Sequence, residues 1–236
     1  MRILLIGYGK MGRAVEAVAL ERNHTIVGRI DSSADYSFDF MSPVDVAMEF
    51  TLAESAEENI RLCLMHRIPV LSGTTGWLAG KKELDEYCRS QQGTFFYASN
   101  FSLGVNIFFK VNEQLARLMA GQQAYDVSIE ETHHTQKKDA PSGTAITLAE
   151  GILNNLPRKK QWVKENNLRE DDLVIRSIRK DPAPGTHVVT YRSTLDDIEI
   201  KHTAHSREGF ARGAVMVAEW MPSRQGVLGM DDFLNF

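Results

Sequence analysis

Over the first hundred positions, short apolar runs alternate with stretches in which apolar residues recur every three or four places, the signature of a parallel sheet wrapped by helices. Residues 2–6 read as a strand, 10–22 as a helix with Met11, Val15, Val18 and Ala19 on one side, and 25–30 and 44–50 as the next two strands. The helix at 55–67 turns Ile60, Cys63 and Leu64 toward the sheet, and two more short strands, 69–71 and 94–98, flank the polar helix 81–91. This order predicts an α/β fold, a doubly wound parallel sheet.

After Asn100 the rhythm changes. Residues 105–120 read as a long amphipathic helix, 126–131 as a strand, 135–141 as a polar loop and 143–153 as another helix. The highly charged, weakly periodic stretch 157–172 reads as a solvated surface loop. Strands follow at 173–179, 187–192 and 198–205, the first two joined by the turn Asp181-Pro182-Ala183-Pro184-Gly185. Short connections between consecutive strands predict a mixed or antiparallel sheet, so the second domain is expected to be α+β. Residues 211–221 return to a helical period, and the apolar tail 227–236 has to dock. We expect it to pack on the first domain, giving one domain of residues 1–102 with 206–236 and another of residues 103–205.

Composition narrows the function. A net charge of -4 and a pI near 6.0 give no electrostatic reason to bind nucleic acid or an acidic membrane surface. Nowhere do about 18 apolar residues follow one another, and the apolar run at residues 3–6 is too short for a signal peptide, so a cytoplasmic protein is expected. Cys63 and Cys88 lack CxxC or metal-ligand spacing and read as reduced structural thiols.

Gly7, Tyr8, Gly9, Lys10, Met11 and Gly12 form a GxGxxG turn between a strand and a helix, where the Rossmann-type dinucleotide fingerprint belongs. The first glycine permits the tight turn, the second lets backbone amides approach a pyrophosphate, and the third lets helix and sheet pack closely. Asp31 follows the second strand, where an acid holds the ribose hydroxyls of adenosine. A carboxylate there repels a 2′-phosphate, and Ser32 and Ser33 offer no guanidinium to offset it; Lys10 and Arg29 are the nearby cations. NADH is therefore expected to serve at least as well as NADPH. Gly73, Thr74 and Thr75 end the fourth strand, and Ala98, Ser99, Asn100 and Phe101 the fifth, at the edge where open α/β sheets bind ligands.

The densest chemistry runs from Glu131 to Thr144. Adjacent His133 and His134 point to opposite faces of a strand, and no Cys or third His lies at zinc spacing, so no metal site is expected. The segment reads as an anion site with a proton donor. Either histidine can titrate near neutrality, Lys137 carries an ammonium, and Ser142, Gly143 and Thr144 open a helix whose free amides suit a carboxylate.

With these motifs the chain resembles the dihydrodipicolinate reductase family, also called 4-hydroxy-tetrahydrodipicolinate reductase, of the diaminopimelate and lysine pathway. The resemblance covers nearly the whole chain. It rests on the glycine turn, Gly73-Thr74-Thr75-Gly76, Asn100-Phe101-Ser102 with Gly104-Val105-Asn106, the His133 to Thr144 segment, Gly185-Thr186-His187 and Ile200-Lys201-His202. It implies that His133 is the catalytic proton donor with Lys137 assisting, and that His134, Gly143 and Thr144 bind the carboxylates of a small cyclic dicarboxylate. It implies that residues 73–75 and 98–101 line the nicotinamide side, and that the protein is a homotetramer built through the second domain's sheets, with an interdomain hinge. Two features depart from the family: the chain is short, suggesting a trimmed second domain, and Ser32 stands where some members carry an arginine. Another amino-acid dehydrogenase, such as an aspartate or homoserine dehydrogenase, shares the glycine turn and Asp31 but not the His133 to Thr144 segment. An NADH-sensing protein needs no clustered proton donors, and a structural or interaction protein needs neither set.

Overall fold

The computed structural model describes residues 1–31, 43–164, 169–206 and 208–236. In chain order the elements are β1 (Arg2–Ile6), α1 (Lys10–Glu21), β2 (Thr25–Ile30), β3 (Val46–Glu49), α2 (Ala53–Met65), β4 (Val70–Ser72), α3 (Lys81–Ser90) and β5 (Thr94–Tyr97). There follow α4 (Leu103–Met119), β6 (Asp126–His133), α5 (Gly143–Asn155), β7 (Gln161–Val163), β8 (Asp172–Arg179), β9 (Gly185–Arg192) and β10 (Asp197–Ala204). The chain ends with α6 (Glu208–Trp220), β11 (Gly226–Leu228) and α7 (Met230–Leu234). It divides into two compact units, Met1–Leu103 with Glu208–Phe236, and Gly104–Arg207.

The first unit is a six-stranded parallel sheet in the order β2-β1-β3-β4-β5-β11. The period-two alternation of each strand splits its apolar residues between two layers. Ile3 and Leu5, with Met48, Leu71 and Phe96, pack with residues of α1 and α6; Leu4 and Ile6, with Ala47, Val70 and Phe95, pack with residues of α2 and α3. In this order β1 lies between β2 and β3, so the strand sequence reverses at β1. That reversal opens a crevice at the carboxyl ends of β1 and β3, where doubly wound sheets hold ligands.

The second unit is a five-stranded mixed sheet, β7-β8-β6-β9-β10, with β7, β8 and β6 parallel and β9 and β10 antiparallel. Helices α4 and α5 bring Phe108, Ala116, Leu148 and Ile152 to a core shared with Val127, Ile129, Leu173, Ile175, Val189 and Tyr191. No helix among the described residues is long and apolar enough to cross a membrane.

Three expectations change. The charged stretch 157–172 is not simply a solvated loop: Gln161–Val163 is a strand, and Lys159 and Asp172 are buried. Lys159 is satisfied locally, its Nζ donating to the Glu170 and Asp172 carbonyls and pairing with Asp126 at 2.6 Å. The tail contains a strand where only an apolar run was evident, with β11 pairing parallel to β5. Strand β6 runs two residues beyond its predicted end, to His133, and His134 lies just past it rather than on the strand.

Candidate active site

The first cluster forms where β1, β2 and β3 end. Gly7 has φ of 91°, and an added Cβ would lie 2.2 Å from the Phe50 carbonyl oxygen, so the turn requires glycine. At Gly12 an added Cβ would lie 2.2 Å from the Gly7 carbonyl oxygen, which is how α1 comes so close to the strand end. Gly9 differs: a Cβ there would meet nothing within 4 Å. Its emptiness is space for a ligand's approach to the backbone, and it adjoins a cavity of about 450 Å³ lined by Gly7, Tyr8, Gly9, Asp31, Thr51 and Leu52 among others. The turn and cavity fit a dinucleotide's pyrophosphate and ribose.

Asp31 Oδ1 accepts a 3.0 Å hydrogen bond from the Tyr8 amide, tying the acid to the glycine turn. Arg29 is engaged elsewhere. Its guanidinium donates to Glu16, which also accepts from the Tyr8 hydroxyl. These two donors, Arg29 first, hold the Glu16 carboxyl below its ordinary range. Arg13 stacks 4.7 Å from the Tyr8 ring centroid. Lys10 is exposed, and Met11 packs against the apolar core. Ser32 and Ser33 lie outside the described residues.

The other predicted cofactor loops stand further along the same sheet edge and contribute nothing to the described wall of this cavity. Gly73 closes against Phe50, Thr74 turns inward and Thr75 is exposed. Ala98 and Phe101 belong to the core, Phe101 packing on Phe96 and Phe50 with centroids 5.9 Å away in both cases. Ser99 is exposed, and Asn100 Oδ1 accepts from the Ser102 amide at 2.9 Å.

The second cluster lies at the carboxyl end of β6. His133 is nearly buried, His134 is half-buried, and Lys137 Nζ pairs with Asp139 at 2.8 Å, which holds that carboxyl below its ordinary range. Ser142 caps α5, its Oγ accepting from the Ala145 amide at 3.2 Å. Gly143 and Thr144 are the first residues of that helix, so their amides have no intrahelical acceptor, the kind of position that suits an anion.

The support for this cluster was invisible in the chain order. Glu131, fully buried, accepts the Ser142 amide at 3.1 Å on both oxygens and the Arg179 guanidinium at 3.1 Å. Its Oε2 is 3.3 Å from His133 Nδ1, off the line of a good hydrogen bond. Burial alone would raise this carboxyl, but His133, Ser142 and Arg179 outweigh it, and Glu131 is held well below the usual carboxylate range. His187 pairs in register with Glu131, lies edge-on to His133 with centroids 5.1 Å away, and reaches Ser142 Oγ at 3.1 Å. Burial pushes His187 down to about 4. The Gly185 Cβ position is 3.1 Å from His133 Nε2, so glycine makes room for the ring.

Ligand atoms of Glu131, His133 and His187 lie within 4.8 Å of one another, a convergence that adjacent spacing cannot reveal. We assign no metal to it, because the Arg179 guanidinium already occupies the carboxylate and would face any cation there. A larger concavity, about 1000 Å³, lies at the opposite end of β6. Three cations that line it are engaged by neighbours: Arg192 by Asp197, Lys159 by Asp126, and Arg158 by the Met119, Ala120 and Tyr125 carbonyls.

Comparison with known proteins bears on both units. The family models "Dihydrodipicolinate reductase, N-terminus" and "Dihydrodipicolinate reductase, C-terminus" match residues 1–101 and 104–234. A 4-hydroxy-tetrahydrodipicolinate reductase of Christiangramia forsetii is 46% identical over 235 residues, covering 100% of this chain and 98% of the relative. A Methanosarcina barkeri protein of the same name is 36% identical over 82% of this chain and 74% of its own. Among solved structures, dipicolinate-bound dihydrodipicolinate reductase from Paenisporosarcina sp. TG-14 superposes with a TM-score of 0.77 at 21% identity, covering 99% of each chain. An amine dehydrogenase from Mycobacterium smegmatis gives 0.59 at 12% identity over 97% of this chain and 94% of its own, a likeness of fold alone.

Proposed function

The chain belongs to the dihydrodipicolinate reductase family, and from that membership we propose that it reduces 4-hydroxy-tetrahydrodipicolinate to tetrahydrodipicolinate with a nicotinamide nucleotide, in the diaminopimelate and lysine pathway. Membership sets aside an aspartate or homoserine dehydrogenase. The observation that carries the site assignment is the convergence, at one end of β6, of a buried imidazole, an ammonium and the free amides of a helix start.

The proposal places the dinucleotide on the first unit, at Gly7 to Gly12 and Asp31, with Gly73, Thr74, Thr75 and residues 98–101 toward its nicotinamide end. The reduced nicotinamide, when bound, supplies the hydride for C4 of the ring. On the second unit, His134, Gly143 and Thr144 hold the substrate's carboxylates, the helix amides adding partial positive charge. His133 delivers the proton that C3 takes up, and Lys137 assists as a second donor. Glu131 orients the His133 ring. We further propose that NADH serves at least as well as NADPH, since Asp31 opposes a 2′-phosphate while Arg29 is committed to Glu16. We propose, too, that the protein works in the cytoplasm as a homotetramer assembled through the second unit's sheet.

The test is turnover. Purified protein, NADH and freshly generated substrate should lose nicotinamide absorbance, and His133→Ala and Lys137→Ala should each lower kcat by about a hundredfold or more while leaving the Kd for NADH nearly intact. Equal loss of NADH binding would show that these residues shape the fold instead. An intact protein that binds NADH without turnover would favour a nucleotide sensor.

A further inference from the structure

Glu49 is the last residue of β3 and is fully buried, yet among the described residues it has no cationic partner. Its carboxylate takes donors from two separate loops. Oε1 accepts from the Thr51 amide at 2.9 Å, from the Thr51 hydroxyl, and from Thr74 Oγ1 at 2.8 Å; Oε2 accepts from Ser72 Oγ. The two loops also touch directly, the Thr51 amide donating to Thr74 Oγ1 at 2.8 Å. Further bonds extend the cluster, from Asn59 of α2 to Thr51 Oγ1 at 3.1 Å and from the Trp77 indole to the Thr74 carbonyl at 2.8 Å.

A carboxylate is acceptor-only, and burying one costs free energy unless its lone pairs are filled. Four neutral donors converging on one buried group fix all the atoms that carry them. Thr51 lines the cavity beside the glycine turn, and its Cγ2 is 3.0 Å from where a Gly7 Cβ would sit. Thr74 belongs to the loop at the end of β4. We propose that Glu49 is a positioning residue for the dinucleotide, holding the loops after β3 and β4 in one register at the mouth of the β1–β3 crevice. It touches no ligand and acts through Thr51 and Thr74. The proposal rests on the assignment of the glycine turn to a nicotinamide nucleotide.

Two substitutions separate this role from simple packing. Glu49→Gln keeps the volume but puts an amide donor among donors, whereas Glu49→Asp keeps an acceptor-only group and leaves a small void. Packing alone makes Asp the more damaging change; loop positioning makes Gln so. We expect the Kd for NADH, measured by titration calorimetry on the full chain, to rise about tenfold in Glu49→Gln and less in Glu49→Asp, although Glu49→Asp loses at least as much Tm. The reverse order in Kd, or a Glu49→Gln protein that binds NADH within twofold of wild type, overturns the proposal. So does a buried-core control, Ile60→Ala, that loses as much Tm and weakens NADH equally. If Glu49→Gln does not fold, Ser72→Ala replaces it: this variant removes one donor from Glu49, and an unchanged Kd then overturns the proposal. Wild-type protein that fails to bind NADH refutes the cofactor assignment itself, and this inference with it.

Discussion

His187 makes the second unit sensitive to mild acid. Burial lowers its pKa from 6.5 to about 4, His133 and Lys137 reinforce the shift, and Glu131, 3.8 Å away, opposes it. The folded protein therefore holds a neutral ring where the unfolded chain would bind a proton. Stability from this group is fully present above pH 6.5 and drains away as pH falls from there toward 4. Between pH 7 and pH 5 the linkage amounts to about 2 kcal/mol, rising toward about 3 kcal/mol near pH 4. Glu131 does not confuse the window: its carboxyl is depressed, so its contribution is intact above its ordinary pKa of 4.5 and is lost only below that. The assay is hydrogen exchange of the β6 and β9 amides, which reads opening of the second unit, in wild type and in His187→Gln at pH 7 and pH 5. Glutamine preserves a polar tip toward Ser142 but does not titrate. Wild type should lose about 2 kcal/mol more than the variant across that interval. An equal pH dependence in the two proteins would refute the reasoning.

Other outcomes follow from particular contacts. Gly9 has φ of -76° and open space at its Cβ position, so Gly9→Ala should keep the wild-type Tm while raising the Kd for NADH by about tenfold or more. Gly12→Ala, whose Cβ meets a carbonyl oxygen at 2.2 Å, should instead lower Tm. Arg179→Met strips the buried Glu131 of its guanidinium and should cost about 3 kcal/mol in urea denaturation, with His133-dependent turnover falling as well; a loss below about 1 kcal/mol would show that the Ser142 amide suffices. The ratio of kcat/KM for NADH to that for NADPH should be one or more, and a tenfold preference for NADPH, about 1.4 kcal/mol, would contradict the Asp31 argument.

Much of the fold was legible because its signals are local. The alternation of β1 and the glycine turn after it depend on neighbours a few residues away, and helices α1 to α6 fall within a few residues of where their periodicity puts them, whereas the short α7 lies in what reads only as an apolar tail. Failures occurred where a tertiary partner overrode local character. Gly226–Leu228 is a three-residue strand whose pairing partner, β5, lies far back in the chain, and Lys159 looks like surface until the carbonyls that receive its ammonium are known. The Phe101 ring packs between Phe50 and Phe96, contacts that its position after β5 does not reveal.

The candidate site divides along the same physical line. Residues that would meet a ligand directly lie in short segments with turn or helix-start chemistry, which is why His133, Lys137, Gly143 and Thr144 stand out from sequence alone. The groups that hold them come from elsewhere: His187 reaches Glu131 only through the β6–β9 register, and Arg179 only through the β6–β8 pairing. Glu49 is hidden for a different reason, since it lies in an apolar strand read as 44–50 and its donors come from Thr51, Ser72 and Thr74. A charged residue at the carboxyl end of a central parallel strand has no water to face once helices cover both sides of the sheet. It must either be neutralised or collect donors from the loops around it. Those loops form the ligand-binding edge in a doubly wound fold, so a buried acid at that position constrains the binding site even though it touches nothing that binds.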